Sequence, residues 1–355
     1  MKLTSTTATA MVLVLAASQM AQAGDTLRLL TWGGYAPEEV IALFEAESGH
    51  SVEVTLSNNE EMIAKLRATA GGGFDLAQPS QDRIAGPQAE FGIYKPMDLT
   101  QIDASQFITS MLEATKTNTT VDGEIYGVPH VWGTSGLVLD TTAAASVKDY
   151  TDLCSDEVAG KVSYRLKRPT LIGFAFAMGL DPFAAYGDEA AYSEIMDQVE
   201  AKLIECKPNV KTYWGGGDEL MNLIRSGEVV ASMAWDTGGW KLNGEMPNVT
   251  FVAPASGALG WIDTFVLPAK GRADEAAYDW INFVMRPEIS AMITSSAGNF
   301  TASKGADAFA DAALKAQYQA SFSAADVDNI KWYPPVPAGL ETIEGGVLDR
   351  VKAAN

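Results

Sequence analysis

Residues that most often carry enzyme chemistry are scarce in this chain, which holds two histidines and two cysteines in 355 residues. No His-Glu-x-x-His run, Gly-x-Ser-x-Gly elbow, phosphate loop or zinc spacing of Cys and His occurs. Gly133-Thr134-Ser135-Gly136 has the wrong glycine spacing for a serine elbow, and Gly215-Gly216-Gly217-Asp218 the wrong one for a dinucleotide loop. Basic residues are also in short supply, with 25 Lys and Arg against 45 Asp and Glu and a net charge of −20. Nucleic acid and anionic membrane surfaces need clustered cations, so both are excluded as partners. Most of the acidic excess reads as a solvated surface. No apolar run approaches the roughly 18 residues that span a bilayer. One rival class stays open, a secreted hydrolase, because the carboxylate pair of a glycosidase leaves no mark in sequence spacing.

The first residues read as a targeting segment. Lys2 supplies a positive start, Met11 to Ala17 a short apolar run, and Ala21-Gln22-Ala23 a small-x-small cleavage site. Residues 1–23 are therefore expected to be a signal peptide, removed after Ala23 on export. In an oxidising compartment Cys154 and Cys206 read as one disulfide. A reactive or metal-binding pair would want neighbours, and neither His50 nor His130 is near a cysteine in sequence. No metal site and no cofactor is expected.

What the chain has is tryptophan. Seven of its eight sit in or beside short turns holding Gly, Ser or Asp, among them Thr31-Trp32-Gly33-Gly34-Tyr35, His130-Val131-Trp132-Gly133, Trp235-Asp236-Thr237-Gly238 and Trp261-Ile262-Asp263. Indoles at strand ends beside carboxylates suit a cleft that stacks on a ligand and holds a cation. Trp240 and Trp280 also lie at helical spacing from other apolar groups and read as core.

The mature N-terminus reads strand, helix, strand. Leu27 to Thr31 is apolar, Pro37-Glu38-Glu39 begins a helix, Gly49 stops it, and Val52, Val54 and Leu56 alternate as a strand. A helix from Glu60 and a strand at Phe74 to Ala77 follow. The rhythm returns at Gly136 to Leu139, Lys161 to Tyr164, Val229 to Ala234 and Gly260 to Leu267, with a helix from Ala273 to Met285. Such alternation predicts an α/β protein, with helices flanking mainly parallel sheets and ligands at the carboxyl ends of strands. Its length suits two lobes.

In this order the motifs resemble the periplasmic substrate-binding proteins of ABC importers, in particular the spermidine/putrescine-binding family. They run from Leu29-Leu30-Thr31-Trp32-Gly33-Gly34-Tyr35 through Phe74-Asp75-Leu76 to Pro79-Ser80. Tyr126 to Gly136, Met233-Ala234-Trp235-Asp236, Gly257 to Phe265 and Ile281 to Glu288 complete them. The resemblance implies a two-lobed, type II periplasmic binding protein with two hinge crossings, at Gly133 to Gly136 and Ala255-Ser256-Gly257. Lobe one would be residues 24–135 plus 259–300, and lobe two 136–258 plus 301–355. It implies a monomeric, periplasmic, non-enzymatic receptor that docks on an inner-membrane permease. Carried over, Trp32, Gly33, Tyr35, Ser80, Trp132, Trp235, Asp236, Trp261, Asp263 and Phe300 would form the ligand site, with Asp263 taking an amino group. Trp132 has the alternative of hinge packing, and His130 reads as a polar hinge-loop residue.

Departures from the family pattern bear on the ligand. Gly33 and Gly34 stand where an acid usually follows the first tryptophan, and Gly238 where another is expected. The second-lobe segment Arg165-Leu166-Lys167-Arg168 carries cations where an acid is common. Arg168 is therefore a candidate partner for a ligand carboxylate, with an exposed residue before Pro169 as its alternative. Two solutes stay open: a polyamine, or an amino-carboxylate such as a short ω-amino acid. An iron-binding relative would want tyrosine pairs or a His/Asp/Glu cluster, and tryptophan is a poor metal ligand.

Overall fold

The computed structural model describes residues 24–354. The expected signal peptide lies outside the described residues. Among those described, no helix is long and apolar enough to cross a membrane.

The chain opens with β1 (Thr26–Thr31), α1 (Glu38–Ser48), β2 (Ser51–Leu56), α2 (Asn59–Ala68) and β3 (Leu76–Ala77). Glu38 and Glu39 occupy the first turn of α1, against the positive end of its dipole, and Gly49 ends it in a left-handed conformation at φ 78°. The Asn58 side chain caps α2 by accepting from the Glu61 amide. β1 pairs in parallel with β2 on one side and β3 on the other. Its apolar run is continuous because helices cover both faces: Leu27 and Leu29 enter one cluster, Leu30 another.

The middle of the chain supplies β4 (Gly127–Asp140), β5 (Val162–Tyr164), α3 (Arg168–Ala177), β6 (Val210–Tyr213), α4 (Gly217–Arg225), β7 (Ala231–Trp235), α5 (Asp236–Glu245) and β8 (Val249–Val252). β9 (Leu259–Pro268), α6 (Asp274–Val284), α7 (Pro287–Ala297), β10 (Phe300–Thr301), β11 (Lys331–Trp332) and α8 (Leu340–Ala353) complete what positions the site. The strands run in the order β2-β1-β3-β9-β4-β7-β5-β6. Both flanks are parallel, while β9 and β4 in the middle are antiparallel to each other and to β3 and β7; β11 adds a short parallel pairing to β9.

Two lobes share this sheet. The first buries Phe44, Phe107, Phe265 and Trp280. The second buries Tyr150, Tyr164, Phe174 and Tyr192, with a satellite cluster around Trp214, Trp240 and Phe251. Trp240 and Trp280 are thus core residues. The disulfide Cys154–Cys206 is present in the second lobe, with its Cα atoms 4.6 Å apart.

β4 and β9 carry the chain between lobes. The crossing at Gly133 to Gly136 runs as extended strand rather than loop, inside the 14-residue β4. Glycine serves close packing there. A Cβ on Gly133 would come within 2.6 Å of the Trp261 ring and the Asn299 amide, and one on Gly136 within 2.6 Å of Phe251. Ala255-Ser256-Gly257 does form a loop, between β8 and β9, with Gly257 at φ 113°. Past Phe300 the chain stays with the first lobe, where the Ala302 amide donates to the His130 carbonyl and the Ile108 amide to that of Ala302. It then returns, and Leu314, Tyr318 and Phe322 pack into the Trp240 cluster.

Candidate ligand-binding cleft

A cleft of ≈ 570 Å³ opens between the lobes. Strand ends build it. The turn after β1 brings Trp32, Gly33 and Tyr35, the segment after β3 brings Ser80, Asp82 and Arg83, and β9 contributes Trp261 and Asp263. From the second lobe come Arg165, Lys167 and Arg168 before and at the start of α3, Gly217 and Asp218 on α4, and Trp235 at the end of β7.

Asp263 is the most constrained group in the wall. It is 3 % exposed, and its two oxygens accept from the Ser80 hydroxyl and the Tyr35 phenol, each at 2.6 Å. Burial pushes its carboxyl up to about 7, against the pull of those two donors, and the Asp82 charge adds to the rise. Ser80 is itself held from behind, accepting from the Asn59 side chain at 2.9 Å. A bulge places the extra residue His130 of β4 between the partners of Asp263 and Thr264. The carboxylate is thus fixed, buried and poised to ionise against a cation.

Aromatic rings surround it. The Trp32 indole N–H donates to the Gln78 carbonyl at 2.8 Å, which fixes that ring. Trp261 lies over Gly133 on the cleft face of β9. Trp235 meets Trp214 edge-on, with centroids 5.2 Å apart.

Three sequence-expected residues do not reach the cleft wall. Trp132 pairs with Ile262 and so projects from the ribbon face opposite Trp261, because side chains alternate along a strand. There it stacks on Phe300 at 5.8 Å and packs edge-on against Tyr318. Phe300 belongs to this same rear cluster. Asp236 is 2 % exposed at the start of α5. It accepts from the Thr134 amide and hydroxyl at 2.8 and 2.9 Å and from the Asn299 amide at 2.8 Å. Burial raises its carboxyl to about 6. It ties the second lobe to the crossing strand rather than to a ligand. His130 is likewise no hinge-loop residue. It is fully buried within β4, and burial depresses its ring to about 3, so it is neutral.

Arg168 lines the cleft and touches protein partners on one side, while its Nε and Nη1 make no hydrogen bond. Nη2 donates to the Tyr186 hydroxyl, Nε lies 3.7 Å from Glu344, and the guanidinium sits 5.5 Å from the Tyr333 ring. The sequence reading missed Glu60, Asp82, Arg83 and Lys241 in the wall, and of the cations in Arg165-Leu166-Lys167-Arg168 it picked only Arg168 as a ligand partner. Asp82-Arg83 directly follows Pro79-Ser80, so charges just past a strand end were the available signal. Among the described residues no group of three His, Cys, Asp or Glu is arranged to hold a metal ion.

The family model for bacterial extracellular solute-binding proteins matches residues 39–321. A spermidine/putrescine-binding periplasmic protein of Haemophilus influenzae is 28% identical over 288 residues, covering 79% of this chain and 76% of that one. A putrescine-binding periplasmic protein of Escherichia coli is 22% identical, over 92% of this chain and 89% of that one. Among solved structures, a putative spermidine/putrescine ABC transporter protein from Listeria monocytogenes superposes with a TM-score of 0.80 at 20% identity, over 93% of this chain and 99% of that one. The chain belongs to the bacterial extracellular solute-binding proteins.

Proposed function

We propose that this protein is a periplasmic, non-enzymatic receptor that captures a small amine-bearing solute between its lobes and delivers it to an inner-membrane ABC permease. The observation that carries the reading is Asp263, a buried carboxylate held by Tyr35 and Ser80 on the wall of a cleft also lined by Trp32, Trp235 and Trp261. A charge in that setting demands a partner. An ammonium group satisfies it through charge-assisted hydrogen bonds while indole faces cover the adjoining methylenes. Polyamines are the ligands in the relatives' names, which supports the ammonium half of the reading.

On this reading the lobes are residues 24–135 plus 259–308 and 136–258 plus 309–355. The last crossing then follows Ala306–Ala308 rather than Phe300, because residues 300–304 bond to first-lobe partners and Ala306–Ala308 packs on α7. Solute contacts from both walls favour the closed form, and the receptor works as a monomer. A thermal-shift screen of the mature chain tests this. Diamines, triamines or ω-amino acids at about 100 times Kd add about 2.7 kcal/mol of stability. A rise with neutral sugars and none with any amine would overturn it.

A further inference from the structure

The two walls of the cleft differ in sign. The first lobe presents the acids Glu60, Asp82 and Asp263 against one cation, Arg83. The second presents Arg165, Lys167, Arg168 and Lys241 against one acid, Asp218. A cationic wall is unexpected in a chain of net charge −20.

Of the four cations, Arg165 is the one held ready. Its guanidinium carbon lies 5.1 Å from the Trp235 ring centroid and 5.5 Å from that of Trp214. Both rings are within cation–π reach, and the guanidinium has no ion pair among the described residues. Burial lowers its pKa, with Glu60 across the cleft opposing that fall. Arg168 differs in being buried, with Nη2 on Tyr186 and Glu344 3.7 Å from Nε, although Nε and Nη1 make no hydrogen bond. Close by, α3 begins at Arg168 with no side-chain cap, and the residues of that first turn line the cleft. Its positive dipole end reinforces the sign of the wall.

We infer that the solute carries a carboxylate as well as an amine, and that Arg165 reads the carboxylate. Lys167 and the start of α3 support Arg165, while Asp263 holds the ammonium on the opposite wall. The ligand class is the amino-carboxylates with the two charges at opposite ends. The inference rests on the amine reading above. Arg165 matches a carboxylate with a forked pair of donors. The same wall repels the second ammonium of a diamine.

Calorimetry on the full mature chain tests this with ω-amino acids of about three to six carbons and diamines of matching length, using wild type, Arg165→Ala, Arg165→Lys and Arg165→Asp. Wild type is expected to bind an ω-amino acid more tightly than the matching diamine. Arg165→Ala is expected to weaken the amino acid by about thirty-fold without weakening the diamine. Arg165→Lys restores part of that loss, and Arg165→Asp inverts the preference. Circular dichroism confirms that each variant is folded; if Arg165→Ala is not, the wild-type preference and the Lys variant carry the test. A wild type that prefers diamines, or an Arg165→Ala protein that loses both classes equally, overturns the inference and leaves the amine reading standing. Binding of no amine at all overturns both.

Discussion

Replacing Asp263 by Asn separates what the carboxylate does for the ligand from what it costs the protein. In the unfolded chain the group titrates near 3.8, and in the folded cleft at about 7. Between those values the unfolded chain gives up its proton first, so folding stability falls as pH rises from about 4 and levels off above about 7. At 1.36 kcal/mol per pH unit the full cost is about 4 kcal/mol. The unliganded Asp263→Asn protein should therefore be more stable than wild type by up to about 4 kcal/mol at pH 8, with the gain vanishing towards pH 4. Affinity moves the other way. An ammonium needs the carboxylate ionised, so wild-type affinity should fall about ten-fold per pH unit below 7, or about a hundred-fold at pH 5. The Asn protein should bind about thirty-fold more weakly or worse at pH 8, with a much flatter profile. Asp236, raised to about 6, also titrates in this range, but it is common to both proteins and cancels in their ratio. Urea unfolding and calorimetry between pH 5 and 8 measure both quantities. A wild-type Kd that stays level over that range, or an Asn protein less stable than wild type at pH 8, would refute the reasoning.

Trp132→Ala should leave ligand affinity within about two-fold while costing about 3 kcal/mol of stability, since the ring packs on Phe300 and Tyr318 behind the cleft. Calorimetry and chemical unfolding on the same sample check this, and a large affinity loss would place the ring in the site after all. Reducing Cys154–Cys206, which are 52 residues apart, should lower unfolding free energy by about 4 kcal/mol in the chain-entropy account. Urea transitions with and without reductant measure it, and an unchanged midpoint would show that the unfolded chain is not restrained by the bridge.

Local chemistry made much of this structure legible. Pro37 with two glutamates, Gly49, and the Arg286-Pro287-Glu288 break all mark helix ends where the sequence predicts them. The turn after β1 and the Trp261–Asp263 segment converge, as expected of strand ends in an α/β sheet. What escaped the sequence depends on strand register. Gly133 reads as a flexible link, yet it is small because Trp261 and Asn299 press on it. Trp132 and Trp261 look equivalent in sequence, and only their cross-strand partners show that they occupy opposite faces. Arg168 stands out beside Pro169, but Arg165, three residues earlier, is the one with no side-chain ion pair or hydrogen bond among the described residues. That distinction rests on Tyr186 and Glu344, which are remote in sequence.

Trp235 and Asp236 are consecutive, yet one faces the cleft while the other grips Thr134 and Asn299 behind it. On the receptor reading, a solute pressing on the indole would bear, one peptide unit away, on the strand that joins the lobes and on Asn299 of the far lobe. Capture and jaw movement would then be one mechanical stroke, with the acid as its fulcrum. No relay through the protein interior is required.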